Sequence, residues 1–374
     1  MSPAHIVGWG KYVPERIVTN HELSRTIDTS DEWIRTRTGI SERRVAGEGE
    51  TTSGMATQAA WRALEAAGLS PGQIDLIIVA TATPDYAFPA TACLVQDALG
   101  AGKAAAFDLS AGCTGFVYAL GVAVDMVAAR GGSEETPTAL VIGAETLSRI
   151  TDWSDRSTCV LFGDGAGAVV LQANGAPGGV LSTFLGADGS GGDLLYLPAG
   201  GSQEPASHRT VSERLHYVKM RGREVFRFAA RAMPEAAHRV LDQAGLSPAD
   251  LTLLVPHQAN QRILEAATKA LGLPPEKVYS NLERYGNTSA ASIPIALCEA
   301  VEEGLIQRGD VVVCVGFGAG LTWGATAVRW SVPLPVARLA LWEKTRYRVW
   351  QGYASIRSLV RRLMRWVLSR RVKE

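Results

Sequence analysis

The sequence predicts an α/β protein built from two similar halves. The pentapeptide Ala-Gly-Leu-Ser-Pro at residues 67–71 recurs at residues 244–248, an offset of 177 positions. A helical pattern of small and apolar residues precedes both copies, and a short apolar run, residues 74–80 or 251–255, follows each. A shared pentapeptide alone can be coincidence, but a shared order of helix, turn and strand indicates an internal duplication. The alternation of helices and strands predicts mostly parallel sheets covered by helices.

The duplication sets the expected boundaries of the two halves. Residues 141–143 and 313–316 both end an apolar strand before a glycine-rich or polar turn. We therefore expect the halves at residues 1–172 and 173–331, with ligands bound where strand ends of the two halves meet. Residues 332–374 form a third segment, with 11 Lys and Arg but only 2 Asp and Glu, in a chain whose formal net charge is zero.

The composition argues against several classes of protein. Hydrophobic residues make up 47% and charged residues 20% of the 374 positions, which is usual for soluble globular proteins. No run of about 18 uncharged apolar residues marks a membrane span, and residues 1–8 resemble a first strand rather than a signal peptide. The five cysteines form no Cys-x-x-Cys pair, so neither a disulfide framework nor a zinc site is expected. They are Cys93, Cys113, Cys159, Cys298 and Cys314.

Cys113 is the candidate nucleophile. A run of small residues separates a predicted strand from a helix that starts near Gly115, and Cys113 lies within that run. The free N–H groups at a helix start favour a thiolate and can also hold an oxyanion. The same stretch also fits a small buried cysteine at a close-packed turn, and by itself it leaves both interpretations open.

His257 and Asn287 are the candidate partners of Cys113. His257 follows the second of the two repeated strands, and Asn287 precedes a predicted helix that continues through residues 295–301. Subtracting the offset from position 290 gives 113, so the two helix starts occupy matching places in the two halves. Taken singly, a histidine is more often a satisfied structural residue, and an asparagine before a helix can be an N-cap.

Several collinear motifs resemble those of the β-ketoacyl-acyl-carrier-protein synthase III family, of the thiolase-fold superfamily, over residues 4 to 331. The resemblance implies a five-layered αβαβα fold made of duplicated halves. The motifs are TSDEWI at 29–34, TRTGI at 36–40, AFP at 87–89, FGDGAG at 162–167, PHQAN at 256–260, GNTSAAS at 286–292 and GFGAGLTWG at 316–324.

The resemblance implies a role for each reacting residue. Cys113 would take the acyl group from acyl-CoA as a covalent thioester. His257 and Asn287 would hydrogen-bond the thioester carbonyl of malonyl-acyl-carrier protein as carbon dioxide leaves. The backbone N–H groups of Cys113 and Ala319 would form an oxyanion hole, with Phe317 against the cysteine. Ala319 stands where glycine is common in the family.

The resemblance also implies substrate and subunit contacts. Trp33 and Arg156 would hold the CoA adenine, with Arg37 near the phosphates and Asn260 near the pantetheine arm. Phe88 would reach the acyl pocket of a second subunit, which implies a homodimer. Without the motifs, Trp33 would be taken for a core residue and the arginines for solvated ones. Acyl-CoA would be a substrate, and neither a cofactor nor a metal is implied.

Three basic residues, Arg227, Arg262 and Lys269, match family positions near the tunnel mouth. Basic side chains there would steer an acidic carrier protein towards the site. Arg227 stands where a lysine is usual. An ordinary solvated helix face explains these three residues equally well.

The segment 332–374 predicts an amphipathic helix. Its apolar stripe consists of Val349, Tyr353, Ile356, Val360, Leu363 and Val367. Off the stripe lie Arg357, Arg361, Arg362 and Arg365, and Trp342, Trp350 and Trp366 add apolar area. Such a helix can lie on an anionic membrane or dock on a protein, or it can be a packed terminal helix with a solvated face. Nucleic acid is less favoured because no binding fold accompanies the charge.

The resemblance favours a cytoplasmic enzyme that initiates fatty acid synthesis. Two alternatives stay open at this point. One is a related ketosynthase that primes a polyketide or specialised lipid, and the other is a non-catalytic scaffold. The complete set of Cys113, His257 and Asn287 disfavours the scaffold.

Overall fold

The computed structural model describes residues 3–130, 136–173, 177–332, 347, 349–354, 356–361, 363 and 364. The strands are β1 (Ala4–Tyr12), β2 (Ile17–Thr19), β3 (Glu42–Arg44), β4 (Leu76–Ala80), β5 (Ala105–Leu109), β6 (Thr138–Thr146), β7 (Asp164–Ala173), β8 (Gly179–Ala187), β9 (Leu195–Tyr196), β10 (Lys219–Met220), β11 (Leu253–Pro256), β12 (Val311–Gly318) and β13 (Thr322–Arg329). The helices are α1 (Asn20–Leu23), α2 (Asp31–Thr38), α3 (Thr52–Ala67), α4 (Thr91–Leu99), α5 (Gly115–Arg130), α6 (His208–Ser212), α7 (Gly222–Gln243), α8 (Gln261–Ala270), α9 (Leu282–Tyr285) and α10 (Ser292–Glu302). A last helix, α11, contains the described residues from 347 onward.

The repeated pentapeptide folds the same way twice. Gly68 and Gly245 both adopt a left-handed conformation, with φ of 69° and 67°, where a side chain would cost energy. Each is followed by a capping box, from Ser70 in the first copy and Ser247 in the second. The following strands, β4 and β11, begin 177 residues apart.

The two main sheets have matching topologies. The first has the strand order β1-β7-β6-β4-β5, and the second has β8-β13-β12-β11, read in the same direction. In both, the two outer pairs are antiparallel and the next pair, β6–β4 or β12–β11, is parallel. A single parallel bridge between Leu254 and Val278 stands where the fifth strand would lie. The predicted duplication is therefore confirmed at the level of strand order.

Five layers result from how the helices cover these sheets. Helices α5 and α10 lie between the two sheets within one apolar cluster that includes Phe116 and Ile293. Helix α3 and part of α4 cover the outer face of the first sheet, and α7 and α8 cover that of the second. This is the αβαβα arrangement that the resemblance implied.

Helix α5 with its preceding turn, residues 112–130, is long and apolar enough to cross a membrane. Its side chains are instead packed between the sheets, with Phe116, Val117 and Leu120 fully buried. We therefore assign it as a core helix.

Glycines allow α10 to lie directly on the first sheet. A Cβ atom at Gly143 of β6 would lie 2.1 Å from the carbonyl oxygen of Ala290. One at Gly167 of β7 would lie 2.6 Å from the backbone nitrogen of Ile295. The backbone of α10 and its preceding turn therefore contacts the backbone of the first sheet. This contact positions the turn that follows Asn287.

Helix α11 packs on the first half through a side that the sequence pattern did not single out. The Tyr347 hydroxyl donates to the carbonyl oxygens of Leu64 and Leu69, at 3.0 and 3.1 Å. Ala354 is buried, and Arg357 donates to the Gly100 carbonyl. The predicted apolar stripe faces outward over its described residues, whose exposed fractions are 62% for Val349, 64% for Tyr353, 63% for Ile356, 41% for Val360 and 60% for Leu363.

Helix α11 is thus packed against the body, which agrees with the prediction of a packed terminal helix. The face that it exposes to solvent, however, is the apolar one. Leu359 and Met364 extend this face, with exposed fractions of 68% and 60%. Val367, Trp342, Trp366, Arg362 and Arg365 lie outside the described residues.

Candidate active site

Each central helix begins after a three-residue 3-10 turn, and two of the candidate reacting residues lie in or just before these turns. The turn before α5 is Gly112–Thr114, and the turn before α10 is Ser289–Ala291. They are again 177 residues apart, which is the relationship that the sequence offset predicted. Cys113 therefore lies at the head of one buried helix, and Asn287 lies just before the head of the other.

The backbone around Cys113 comes from both halves. Gly112 has a φ of 52°, and a Cβ atom there would lie 2.9 Å from the backbone nitrogen of Ala319. A Cβ atom at Gly318 would lie 2.6 Å from the backbone nitrogen of Cys113. The Thr322 hydroxyl links the same segments through hydrogen bonds of 3.0 Å to the carbonyls of Ala111 and Ala319.

Alanine at 319 imposes no backbone strain. Among the described non-glycine residues, positive φ occurs at Arg214 and Ser289. The backbone conformation at Ala319 is therefore one that any L residue can adopt, and glycine is not required there.

His257 is held as a neutral ring. Its Nδ1 pairs with the Ser292 hydroxyl at 2.6 Å, and its ring meets Phe317 edge to face at a centroid distance of 5.3 Å. Complete burial lowers the pKa of His257 to about 3, because the charged form would lose its hydration. The ring is therefore uncharged at neutral pH, and Nε2 is the nitrogen left to the cavity that His257 lines.

Asn287 has a fixed side chain and a fixed backbone. Its Oδ1 accepts the backbone N–H of Ser289 at 2.8 Å, so the amide nitrogen Nδ2 is turned to the other side. Its backbone N–H donates to the Leu161 carbonyl at 2.8 Å. Gly286, with a φ of 62°, permits this approach, since a Cβ atom there would lie 2.6 Å from that carbonyl oxygen. Asn287 is not the N-cap of α10, whose capping position is Ala291.

A single cavity of about 300 Å³ brings together most of the predicted site residues. Cys113, His257 and Asn287 are buried, whereas Arg37 and Arg156 are exposed. The predicted residues that line it are Trp33, Arg37, Cys113, Arg156, His257, Asn260, Asn287 and Phe317.

The outer part of the cavity is a cation–π cluster. The guanidinium carbons of Arg37 and Arg156 lie 4.7 and 4.8 Å from the Trp33 ring centre. Asn260 caps α8 by accepting from the backbone N–H of Arg262, and its Nδ2 donates to the Arg37 carbonyl at 3.1 Å. Asn260 thus ties the Arg37 segment to the mouth of the cavity.

A second, mainly apolar cavity of about 110 Å³ also borders Cys113. Ala319 lines this cavity together with Ala82, Leu147 and Leu197. The motifs had not drawn attention to Ala82 or Leu147. The thiol therefore lies between a polar cavity with His257 and Asn287 and an apolar one.

Four predicted residues lie outside both cavities. Phe88 is 86% exposed on a surface loop, and Arg227, Arg262 and Lys269 are exposed on α7 and α8. Helix α7 carries Arg223 and Arg231 on the same stripe as Arg227, four residues to either side. Their spacing was visible in the sequence and had been overlooked. Among the described residues, no group of three His, Cys, Asp or Glu side chains could hold a metal.

Comparisons with known proteins show the family of the chain. Sequence models of 3-oxoacyl-[acyl-carrier-protein] synthase III match residues 107–189 and, for its C-terminal part, residues 241–330. The β-ketoacyl-[acyl-carrier-protein] synthase III of Symbiobacterium thermophilum is 59% identical over 329 residues, 88% of this chain and 98% of that protein. The same-named protein of Caldanaerobacter subterraneus is 56% identical over 331 residues, with the same coverage. The chain belongs to the 3-oxoacyl-[acyl-carrier-protein] synthase III family.

Solved structures of a synthase III and of a polyketide ketosynthase are similar to the chain. The Aquifex aeolicus 3-oxoacyl-[acyl-carrier-protein] synthase III is 50% identical, with a TM-score of 0.80, over 87% of this chain and 100% of that one. The priming β-ketosynthase of the R1128 polyketide pathway is 39% identical, with a TM-score of 0.81, over 89% of this chain and 97% of that one. Both solved chains are matched almost end to end, while this chain is longer by about the length of segment 332–374.

Proposed function

We propose that this chain condenses an acyl group from acyl-CoA with malonyl-acyl-carrier protein, releasing carbon dioxide and CoA and starting fatty acid biosynthesis. The observation that carries the proposal is the shared cavity of Cys113, His257 and Asn287, with Trp33 and Arg156 at its outer end. In this proposal, acyl-CoA is a substrate and no cofactor takes part.

The first half-reaction is the acylation of Cys113. Its Sγ attacks the acyl carbonyl, and the developing oxyanion is held by the backbone N–H groups of Cys113 and Ala319. The bond from the acyl carbon to the CoA sulfur then breaks, and the proton lost by the Cys113 thiol is balanced by the proton that the CoA thiolate takes up. The close approach of Gly112 to the Ala319 nitrogen supports this assignment, because the backbone of the Cys113 turn and that of Ala319 are then neighbours. The apolar cavity beside Cys113 would hold the acyl chain.

The second half-reaction is decarboxylation. A neutral imidazole carries one N–H, and with the Ser292 hydroxyl donating to Nδ1 that proton is on Nε2 of His257. Nε2–H and the Asn287 Nδ2 group then both donate to the malonyl thioester oxygen. They stabilise the enolate as carbon dioxide leaves, and the carbanion attacks the acyl carbon on Cys113.

Two groups of positively charged residues outside the reacting centre would bind the incoming substrates. The Trp33–Arg156 pair and Arg37 suit an adenine and its phosphates, since guanidinium groups stack on rings and bind phosphate. The exposed stripe of Arg223, Arg227 and Arg231 would attract an acidic carrier protein. Arg262 and Lys269, two turns apart on one face of α8, would continue this surface.

Homodimer formation would complete the acyl pocket. Strand β5 lies at the edge of the first sheet, and backbone groups on its outer side can pair with those of a second copy. The exposed Phe88 ring lies on the loop before α4, and burying so large an apolar side chain favours association. A molar mass of two chains in solution, falling to one chain in Phe88→Asp, would support this arrangement.

We place the protein in the cytoplasm, with α11 in contact with the membrane surface. Its outward face carries Ile356, Leu359 and Leu363, and Arg361 is exposed beside them. The net positive charge of segment 332–374 complements anionic lipid head groups.

The activity is tested by mixing the protein with acyl-CoA and malonyl-acyl-carrier protein and measuring product mass. We expect a 3-oxoacyl-carrier protein two carbons longer than the primer, and none from Cys113→Ala. Absence of label on Cys113 after incubation with radiolabelled acyl-CoA would support the scaffold instead.

A priming role in polyketide synthesis is the second candidate, favoured by the similarity to the R1128 ketosynthase. This role predicts that the enzyme distinguishes the carrier protein of a polyketide pathway from that of fatty acid synthesis. Preference for a polyketide carrier over the fatty acid carrier at equal concentration would select it.

A further inference from the structure

Glu299 of α10 is a buried carboxylate to which the proposed mechanism gives no role. Both of its oxygens accept hydrogen bonds. Oε1 accepts the Tyr285 hydroxyl at 2.6 Å and pairs with the Lys11 ammonium group. Oε2 accepts the Asn281 amide and the Arg284 guanidinium, each at 2.9 Å. Burying a carboxylate this deeply is costly unless its donors are held in place around it.

Apart from Lys11, these donors belong to one stretch of chain, residues 279–285. Tyr279 completes the set, since its hydroxyl donates to Oε2 of Glu299 at 3.4 Å. The stretch includes α9 and ends two residues before Asn287. The chain then enters α10, and Glu299 lies about two turns into that helix. Glu299 therefore reaches back to segment 279–285 and closes a loop of chain that contains Asn287.

The same segment is also tied to the other proposed donor, His257, through its neighbour Gln258. The Gln258 amide nitrogen donates to the Tyr279 carbonyl at 3.2 Å, and its Oε1 accepts the Asn281 backbone N–H at 3.1 Å. His257 itself pairs with the hydroxyl of Ser292, the first residue of α10. His257 is thus linked to both of the elements that Glu299 joins.

The ionised form of Glu299 is the one that fits these partners. Burial disfavours the charge, but hydrogen bonds from Lys11, Tyr285 and Asn281 outweigh this effect, and the pKa of Glu299 lies below its usual value. Both carboxylate oxygens then act only as acceptors. A glutamine in this place would turn its NH2 group towards donors in either orientation of the amide and leave at least two donors unpaired.

Decarboxylation makes a stricter demand on geometry than acylation does in the proposed mechanism. The amide of Asn287 and the ring of His257 must both donate to one thioester oxygen, although they come from different parts of the chain. A displacement of about 1 Å between such groups can cost on the order of 100-fold in rate. Acylation of Cys113 uses neither donor.

We propose that Glu299 is a positioning residue, which sets the place of the Asn287 amide relative to His257 by holding segment 279–285 against α10. This inference rests on the proposed condensing activity. Glu299 acts through the backbone that leads to Asn287 and does not touch the substrate.

The test compares the two half-reactions in Glu299→Gln. Decarboxylation of malonyl-carrier protein, measured as carbon dioxide release, should fall about 30-fold or more in kcat, with KM within about threefold of the wild type. Acylation, followed as CoA release in a single turnover, should also stay within about threefold. The matched control is Glu302→Gln, which changes an exposed carboxylate of the same helix and should leave both half-reactions intact.

A double-mutant cycle distinguishes positioning from general damage to the site. In an Asn287→Ala background, Glu299→Gln should lower decarboxylation no further, because the amide that Glu299 positions is already gone. Tyr285→Phe provides a milder second variant, since it removes one hydroxyl donor and keeps the ring. It should lower decarboxylation about fivefold and spare acylation, so the test stands even where Glu299→Gln does not fold.

Several outcomes would overturn the proposal. Decarboxylation at the wild-type rate in Glu299→Gln and Tyr285→Phe would do so directly. Additive losses in the cycle, or equal losses of both half-reactions, would reduce Glu299 to a structural role. A wild-type protein that releases neither CoA nor carbon dioxide would instead reject the condensing activity, and so the two failures are distinguishable.

Discussion

The Asn287 carboxamide oxygen accepts the backbone N–H of Ser289, and this one hydrogen bond of 2.8 Å orients the amide nitrogen as a donor. We predict that Asn287→Asp loses decarboxylation by about 100-fold or more, because an acceptor then replaces that donor. Carbon dioxide release measures this. Acylation of Cys113 by acyl-CoA serves as the control and should be retained. Unchanged carbon dioxide release would contradict the role of Asn287.

Glu145 makes the stability of the protein depend on pH with a definite sign. Burial raises its pKa from the usual 4.5 to about 7, so between these values the folded state binds more protons than the unfolded state. Stability from this group is therefore lost as pH rises through 7. We expect Glu145→Gln to gain on the order of 3 kcal/mol relative to the wild type between pH 4.5 and 8. Urea unfolding at several pH values measures the difference, and parallel pH curves for the two proteins would refute it.

The stack of Arg156 on Trp33 predicts a defect confined to nucleotide binding. Arg156→Ala should raise the KM for acyl-CoA about tenfold with kcat nearly unchanged, as expected when ground-state binding alone is weakened. The matched control is the same acyl group on pantetheine, which has no adenine and should be unaffected. Equal effects on both thioesters would place Arg156 elsewhere in the mechanism.

Ala82 restricts the size of the apolar cavity beside Cys113. Ala82→Leu should fill it and lower kcat/KM for a branched five-carbon primer by at least about tenfold relative to acetyl-CoA. A panel of acyl-CoA primers with product masses measures this ratio. A proportional loss for all primers would indicate general damage to the site rather than a smaller pocket.

The outward face of α11 predicts binding to anionic membranes. Replacing Ile356 and Leu363 by Asp should reduce sedimentation with vesicles containing phosphatidylglycerol by at least about tenfold, without loss of condensing activity. Val211→Asp, a change at a residue that is 66% exposed on the body, is the matched control and should leave binding intact. Equal binding by all three proteins would remove the membrane contact, and dimerisation through this face would appear in light scattering.

The candidate site can be predicted from the sequence because the duplication makes position informative. The offset of 177 residues predicts that Cys113 and position 290, which follows Asn287 closely, lie at equivalent helix starts. The boundaries of β4 and β11 also followed within two residues. In these segments, the turn residues and the overall topology favour the same structure, so the sequence alone predicts it.

The features that the sequence did not predict depend on which way a helix face or a side chain points, and a residue pattern does not show this. The period of the stripe in α11 was correct, but periodicity does not tell which face meets the body, and here Tyr347 and Ala354 do so. Glu145 lies near the end of an otherwise apolar strand, and the sequence does not show that Thr83 and the backbone N–H of Ala82 bind its carboxylate. The stripe of Arg223, Arg227 and Arg231, by contrast, can be predicted from the four-residue spacing of these arginines.

The contact at Gly143 and Gly167 gives the site a specific weakness. Because main chain rests on main chain there, the distance between α10 and the first sheet is set by backbone atoms and leaves no room for a side chain at these two positions. A single added methyl group at either glycine would act as a wedge, displacing α10 and its donor together.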